Sequence, residues 1–135
     1  MAELLVAPSA LLVAVTVLRE GLNEHDPQHV GTKVPATRPD RFVTVSRAGG
    51  QLVNPFTESV LLIVQAWDSH PALGESRAEA TANLCVGILR ATSGTWVGDA
   101  RVRRWEQNAL PSYLPDPDTG IARFQFTGEL RLAVK

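Results

Sequence analysis

The clearest periodicity in the chain lies near its end, where apolar and polar residues alternate over about fourteen positions, as in a strand with one buried face. The even-numbered positions are apolar, with one interruption at Gly128: Ala122, Phe124, Phe126, Leu130, Leu132 and Val134. The odd-numbered positions from 123 to 131 are polar: Arg123, Gln125, Thr127, Glu129 and Arg131. Glycine inside such a pattern indicates a bulge or a bend. A half-buried strand is therefore predicted here.

Other segments also favour strands. Residues 60–67 are apolar at nearly every position, which predicts a strand covered on both faces at the centre of a sheet. Residues 41–46 and 99–105 have strand-like alternation, and residues 32–35 are predicted to be a short extended piece.

Two connections between these strands contain proline and glycine. Ala48, Gly49 and Gly50 predict the end of the strand at residues 41–46, and residues 51–58 a long irregular excursion. Residues 110–120 predict a proline-rich turn before the last strand. Projecting loops of this kind often carry contacts with partners.

Two segments have helical spacing. The first helix is predicted at residues 8–21, with Pro8 and Ser9 in its first turn and an apolar stripe at Leu11, Val15, Leu18 and Leu22. Residues 23–31 are predicted to form a loop. A second helix is predicted to begin at Ser76, with Glu79 completing a capping box, and to end at Ser93 and Gly94. Its predicted inward stripe consists of Ala80, Leu84, Ile88 and Ala91.

These elements predict one domain of the α+β class over residues 1–135. We expect a mainly antiparallel sheet of four to five strands with two helices packed on one face. A chain of 135 residues is long enough to form one substantial core.

Composition removes several functional classes. The formal net charge of −1 gives no global attraction for nucleic acid or anionic membranes. A single cysteine, Cys85, excludes an internal disulfide and favours a reducing compartment. The apolar run at residues 4–18 is shorter than the roughly 20 residues that span a bilayer, so a buried helix is favoured over an export signal. A soluble, intracellularly made protein is the expectation.

Candidate reactive groups are few. His25 and His29 stand four apart, but Asp26 and Pro27 argue against the helix that a metal site would need. Residues 116–120 superficially resemble a calcium loop, yet position 126 is Phe126 instead of the glutamate ligand, so a β-turn is favoured. Cys85 is expected to be a buried packing thiol, and His70 a loop residue. No serine triad setting and no phosphate-binding glycine motif is present.

Arg101, Arg103 and Arg104 beside Trp105 form a basic cluster next to an aromatic residue. On a regular strand, Arg101 and Arg103 would share one face and Arg104 would take the other. A salt-bridged protein interface is therefore favoured over a nucleic-acid site. We expect no catalytic residues, no metal and no cofactor, and hence no enzymatic activity.

Two blocks carry a resemblance to a known family: VPATRPDRFVTVSRAGG at residues 34–50 and YLPDPDTGIARFQFTGEL at residues 113–130. The chain resembles the tail terminator proteins of long-tailed bacteriophages, especially those that infect actinobacteria. The resemblance implies a virion protein, assembled in the bacterial cytoplasm, that forms a six-membered ring on the head-proximal end of the tail tube. Such a ring stops tube polymerisation and gives the head connector a docking surface.

The implied partners are five further copies, the tail tube protein and the head–tail connector. DNA would pass through the ring without sequence-specific contact, and no membrane is involved. The residues expected at these interfaces are Gly49, Gly50, Asn54, Pro55, Phe56, Arg101, Arg103, Tyr113, Leu114, Pro115, Asp116 and Asp118. Two alternatives stay open: another neck or connector completion protein, and a host α+β domain with a ligand pocket.

Overall fold

A computed structural model describes residues 4–134, in which two helices lie on one face of a six-stranded sheet. The helices are α1 (Ala10–His25) and α2 (Gly74–Ala91). The strands are β1 (His29–Gly31), β2 (Arg41–Asn54), β3 (Thr57–Asp68), β4 (Trp96–Val97), β5 (Ala100–Tyr113) and β6 (Ala122–Ala133). They are ordered β1-β2-β3-β6-β5-β4 across the sheet, and only the β1–β2 pair among these elements is parallel.

The α+β class and the placement of both helices on one face are confirmed, whereas the predicted number of four to five strands is wrong. β1 lies inside the segment predicted to be a loop, and residues 32–35, predicted to be extended, form no strand. β1 and β4 have three and two residues. Strands this short contain too few positions to show a period of two.

The prediction that β3 is central is confirmed, because it pairs with β2 on one side and β6 on the other. The predicted burial of both faces is confirmed only in part, because Ser59 and Trp67 are buried on the side away from the helices but their neighbours on that side are less so. Val60, Leu62 and Val64 are buried beneath the helices, whereas Leu61 and Ile63 are only partly buried on the opposite side. We call the helix-bearing side the covered face and the other side the open face.

The predicted break at Gly49 and Gly50 is also wrong, because β2 continues to Asn54. Both glycines have positive φ, and the register against β3 shifts between Arg47 and Gly49. A Cβ at Gly50 would overlap the main chain of Ser59 and Val60. Glycine therefore lets the strand continue through a bulge, and the predicted excursion is a hairpin that closes where Asn54 pairs with Thr57.

β5 extends through Leu110 and Pro111 to Tyr113, so the predicted turn at residues 110–120 begins too early. Proline is tolerated there because the outer side of β5 is a sheet edge at this point. The last predicted strand is confirmed as β6. Its pairing with β3 is regular through Gly128, where a Cβ would overlap the Trp105 ring, so this glycine permits close packing and makes no bulge in that pair.

The first helix begins close to its predicted start and continues past its predicted end to His25. Ser9 is its N-cap, accepting a hydrogen bond from the Leu12 amide at 3.2 Å. Of the predicted stripe, Val15, Leu18 and Leu22 are buried, and Leu11 packs partly against the core.

The second helix begins at Gly74, because Ser76 does not cap it and instead donates to the Leu73 carbonyl at 3.1 Å. The loop residue His70 shapes the turn that precedes the helix, because its Nδ1 accepts from the Ala72 and Leu73 amides. The predicted inward stripe is confirmed only in part, because Leu84 and Ile88 pack partly against the core whereas Ala80 and Ala91 are exposed. Helical spacing allowed several stripes, and the buried one comprises Ala78, Ala82, Cys85 and Leu89.

One apolar core fills the space between the helices and the covered face. Within residues 4–134, no helix is long and apolar enough to cross a membrane.

Candidate interaction surfaces

The side chains on the open face change along the strands from aromatic, to uncharged polar, to charged. At one end Phe42 and Trp67 stack with ring centroids 5.1 Å apart, and the guanidinium of Arg123 lies 4.7 Å from the Trp67 ring. Arg38 lies over the same ring at 5.7 Å, which places the loop at residues 32–40 against this end. This small aromatic cluster is buried although no helix covers it.

The middle of the open face holds a ladder of uncharged polar side chains. Gln65 Nε2 donates to Gln125 Oε1 at 2.9 Å, and Thr44 Oγ1 donates to Gln65 Oε1 at 3.4 Å. Trp67 Nε1 in turn donates to Thr44 Oγ1 at 3.3 Å. These bonds satisfy half-buried polar groups across three strands.

The far end of the open face is charged. Arg131 Nη2 lies 2.9 Å from a Glu106 carboxylate oxygen, and Ser59 Oγ donates to Glu129 at 3.1 Å. Arg104 stands directly opposite Arg131 in the β5–β6 register.

The hairpin that joins β2 to β3 projects beyond the helices at this charged end. Gly49, Gly50 and Asn54 lie on β2, and Pro55 and Phe56 form its turn. Asn54 Oδ1 accepts from the Phe56 amide at 2.9 Å, which fixes the turn, and the Phe56 carbonyl accepts from the Val134 amide at 2.9 Å. Phe56 is nevertheless 58% exposed, and Leu52 on the same hairpin is 64% exposed.

The predicted separation of the arginines by strand face is wrong. The register of β5 shifts between Val102 and Arg104, so strict alternation fails at Arg103. Arg103 and Arg104 thus line one cleft beside the hairpin, while the Arg101 guanidinium lies 5.6 Å from the Trp96 ring.

The other predicted contact segment lies at the opposite end of the sheet. β6 separates the two ends by roughly 35 Å at the rise of an extended strand. Tyr113 closes β5 with its ring 5.4 Å from Phe124, and Leu114, Pro115, Asp116 and Asp118 form the following turn. The structure therefore divides the candidate residues between two separate ends.

Asp116 organises this turn from a buried position. Its carboxylate accepts from the Thr119 hydroxyl at 2.5 Å and from the Asp118 amide at 3.4 Å, and Arg38 lies 3.8 Å away. The Thr119 hydrogen bond, chiefly, lowers the pKa of Asp116, with smaller contributions from Asp118, Arg123 and Arg38 that outweigh partial desolvation. These bonds hold a turn, but it is wider than the predicted β-turn, because the Gly120 amide donates to the Asp116 carbonyl four residues earlier at 2.8 Å.

The thiol of Cys85 is buried on α2. Burial raises the pKa of the Cys85 thiol to about 12, so the reactive thiolate is scarce at neutral pH. His25 lies at the end of α1 and His29 on β1. Among residues 4–134, no group of three or more histidine, cysteine, aspartate or glutamate side chains is arranged to hold a metal ion.

The predicted contact residues did not include Arg104, Arg123 and Arg131, which lie on the open face. The alternation of β6 did place Arg123 and Arg131 on the polar side, which was a usable signal. Nothing in the sequence indicated that the strand register would bring Arg104 opposite Arg131.

No protein-family model matches the chain, and no curated protein sequence matches it. Among solved structures, a chain of the "virion of native gene transfer agent (GTA) particle" is similar, with a TM-score of 0.62 and 12% sequence identity. The similarity covers 93% of this chain and 99% of that chain. The chain thus shares its fold, over nearly its whole length, with a protein of a gene transfer agent virion.

Proposed function

We propose that this chain is a virion structural protein that assembles into a ring and caps the head-proximal end of a phage tail tube. The observation that carries the proposal is the fold shared with a gene transfer agent virion chain over almost the full length of both. The sequence blocks at residues 34–50 and 113–130, which resemble tail terminators, support this position within the virion.

A structural role is also supported by the chemistry of the described residues. The thiol is buried, His70 accepts hydrogen bonds from the backbone of the turn before α2, and Asp68 lies 3.0 Å from Arg77 Nε. These groups serve the fold, and we propose that the chain acts by binding other proteins without catalysing a reaction.

Two unpaired strand edges support a ring. Among the described residues, β1 pairs with β2 only at Phe42–Thr44, which leaves the outer side of β2 from Val45 onward without a strand neighbour. On the other side of the sheet, residues 93–97 bond to β5 as far as Trp105, and the outer side from Glu106 onward is similarly free. Free edges invite pairing with another chain.

The free edges of β2 and β5 have compatible positions and directions for pairing between copies. The registers place Gly49, Leu61, Glu129 and Glu106 in one row across the sheet, so the free parts of β2 and β5 begin to overlap at this level. β5 runs antiparallel to β2, so pairing β5 of one copy with β2 of the next would be antiparallel and would use two different patches per copy. Such head-to-tail contacts close into rings when the rotation allows. Pro111 has no amide hydrogen, so we expect the pairing nearer Glu106.

Ring closure explains termination physically. A closed ring leaves no free edge, and a ring whose two ends differ can match the tube on one side only. Further tube rings then find no matching surface.

The decisive experiment adds the purified chain to tail tube protein of the same virus during polymerisation. We expect shorter tubes, each with a ring at one end, when viewed by electron microscopy. Tubes of unchanged length with bare ends would contradict the proposal. Binding to connector or portal preparations, without an effect on tubes, would favour the alternative neck or connector role.

Ring formation itself is measured by native mass spectrometry, where six copies of the 14.6 kDa chain would give about 88 kDa. The edge pairing is tested with Ser46→Cys combined with Ala109→Cys. These residues lie in one row across three strand spacings, roughly 14 Å, within a copy. A bismaleimide shorter than that distance should join copies into a covalent ladder.

The matched control combines Ser46→Cys with Asn83→Cys, an exposed position on α2. It should give no ladder, and Cys85 should not react because it is buried. A ring mass without a ladder would preserve the ring and overturn the edge pairing. A monomer with a ligand bound in a pocket would favour the host-domain alternative.

A further inference from the structure

A cleft of ≈ 500 Å³ lies on the open face beside the projecting hairpin. Its lining includes Val53, Asn54, Phe56 and Thr57 of the hairpin, here called the apolar wall after Val53 and Phe56. Arg103, Arg104 and Arg131 complete the lining. The β-hairpin turn is held by the Asn54 and Val134 hydrogen bonds, so the apolar wall has a defined position.

The arginines of this cleft are poorly compensated within the chain. Arg104 stands directly opposite Arg131 in the β5–β6 register, and like charges in this arrangement destabilise a sheet. Glu106 pairs with Arg131 through Nη2, while the buried Nε of Arg131 has no acceptor among the described residues. Within residues 4–134, neither Arg103 nor Arg104 has a carboxylate within ion-pair distance.

The remaining nearby acids do not supply the missing charge. Glu129 accepts from Ser59 and stands opposite Glu106, so this carboxylate pair lies one row further along the sheet. The cleft therefore concentrates three guanidinium groups against one paired glutamate, an arrangement that costs stability in the isolated chain.

Guanidinium forks match planar oxyanions such as carboxylates, often through two hydrogen bonds. The apolar wall favours a protein ligand, because Arg next to exposed aromatic and aliphatic side chains is typical of protein interface centres. An extended nucleic acid would need a longer basic track, and the chain has a net charge of −1.

We propose that this cleft binds an acidic segment of a partner protein, in which one or two Asp or Glu side chains are flanked by apolar residues. The carboxylates contact Arg103, Arg104 and Arg131, and the apolar residues pack on Phe56 and Val53. This site lies apart from the row of Ser46 and Ala109 used for edge pairing, and its existence does not depend on the proposed capping of tail tubes.

The test is an NMR titration of the isolated, isotope-labelled chain. The probe is acetyl-Leu-Glu-Glu-Leu-amide, compared with its Gln-Gln counterpart and with a thymidine trinucleotide that carries the same two negative charges. We expect saturable shifts of the Arg103, Arg104 and Arg131 signals with the glutamate peptide. Both comparison ligands should bind at least about tenfold more weakly, because they lack the charge or the flanking apolar groups.

Arg104→Gln should weaken peptide binding about tenfold, whereas Arg90→Gln, at an exposed position on α2, should not change it. If Arg104 serves binding and not folding, Arg104→Gln should leave thermal stability unchanged or raise it, because the substitution relieves the repulsion between Arg104 and Arg131. A loss of stability would identify Arg104 as a structural residue and overturn the proposal.

Absence of saturable shifts at millimolar peptide would also overturn it, and equal or tighter binding of the trinucleotide would replace the protein ligand with a phosphate ligand. Because the isolated chain is used, these outcomes are independent of tube capping. A chain that binds the peptide but leaves tubes unaltered retains this site and loses the proposed function.

Discussion

The covered and open faces of the sheet differ at the same strand levels. Val64, Phe126 and Leu130 on the covered face are at most 1% exposed, whereas their strand neighbours Gln65, Gln125 and Glu129 on the open face are half-buried polar residues. Burial of apolar area drives folding, so the covered face should determine stability. The open face contributes less to stability and is correspondingly free to bind partners.

The largest expected contrast is between a core leucine and a leucine on the hairpin. Leu89→Ala removes a fully buried side chain of α2 and should lower the free energy of unfolding by roughly 2–5 kcal/mol. Leu52→Ala, at a position 64% exposed, should change it by no more than about 0.5 kcal/mol. Urea denaturation measures both, and similar losses would contradict the assignment of stability to the core beneath the helices.

A smaller effect is expected at the glycine on the covered face. Gly128→Ala places a methyl group against the Trp105 ring and should cost about 1–3 kcal/mol. The control is Gly87→Ala on α2, where an added Cβ meets no atom within 4 Å. The higher helix propensity of alanine should raise the free energy of unfolding by roughly 0.5–1 kcal/mol. Chemical denaturation should show a lower free energy of unfolding for Gly128→Ala and a higher one for Gly87→Ala. Changes of the same sign would refute the packing role of Gly128.

The ladder on the open face should contribute less still. Gln125→Ala removes the acceptor of the Gln65 amide and should cost about 0.5–1.5 kcal/mol. Gln51→Ala alters an exposed hairpin residue that makes no side-chain hydrogen bond with other described residues, and it should have almost no effect. If both variants unfold alike, the ladder does not stabilise the open face.

The smallest effect concerns acid and the turn beside the aromatic cluster. Hydrogen bonds and arginines lower the pKa of Asp116 in the folded chain. The ionised carboxylate therefore stabilises the fold above the unfolded carboxyl pKa of about 3.9, and this stabilisation is lost as the pH falls below that value. Amide shifts of Asp118 and Gly120, followed by NMR from pH 6 downward, should change in this range. The Asp116→Asn variant should lack this change, and its persistence would assign the titration to another group.

Sequence periodicity predicted β6, the core of β3 and most of α1, because each has enough residues to display its spacing. It failed at the bulge of β2, where Gly49 and Gly50 continue a strand that glycine usually ends. It succeeded only in part for α2, where several stripes have helical spacing and the sheet selects the one containing Ala82 and Cys85. Most of the candidate contact residues are exposed, but Asp116 is buried, and the arginine pair across β5 and β6 was not predicted.

The sequence by itself determined the α+β class, the polar row of β6 and the packing role of Cys85, since these depend on local spacing and on side-chain chemistry. Only the tertiary structure decided which strand edges stay unpaired and which arginines meet in a cleft. The reason is that pairing partners lie far apart in the chain, as Arg104 and Arg131 do, and register is set by bulges and by packing across the whole sheet.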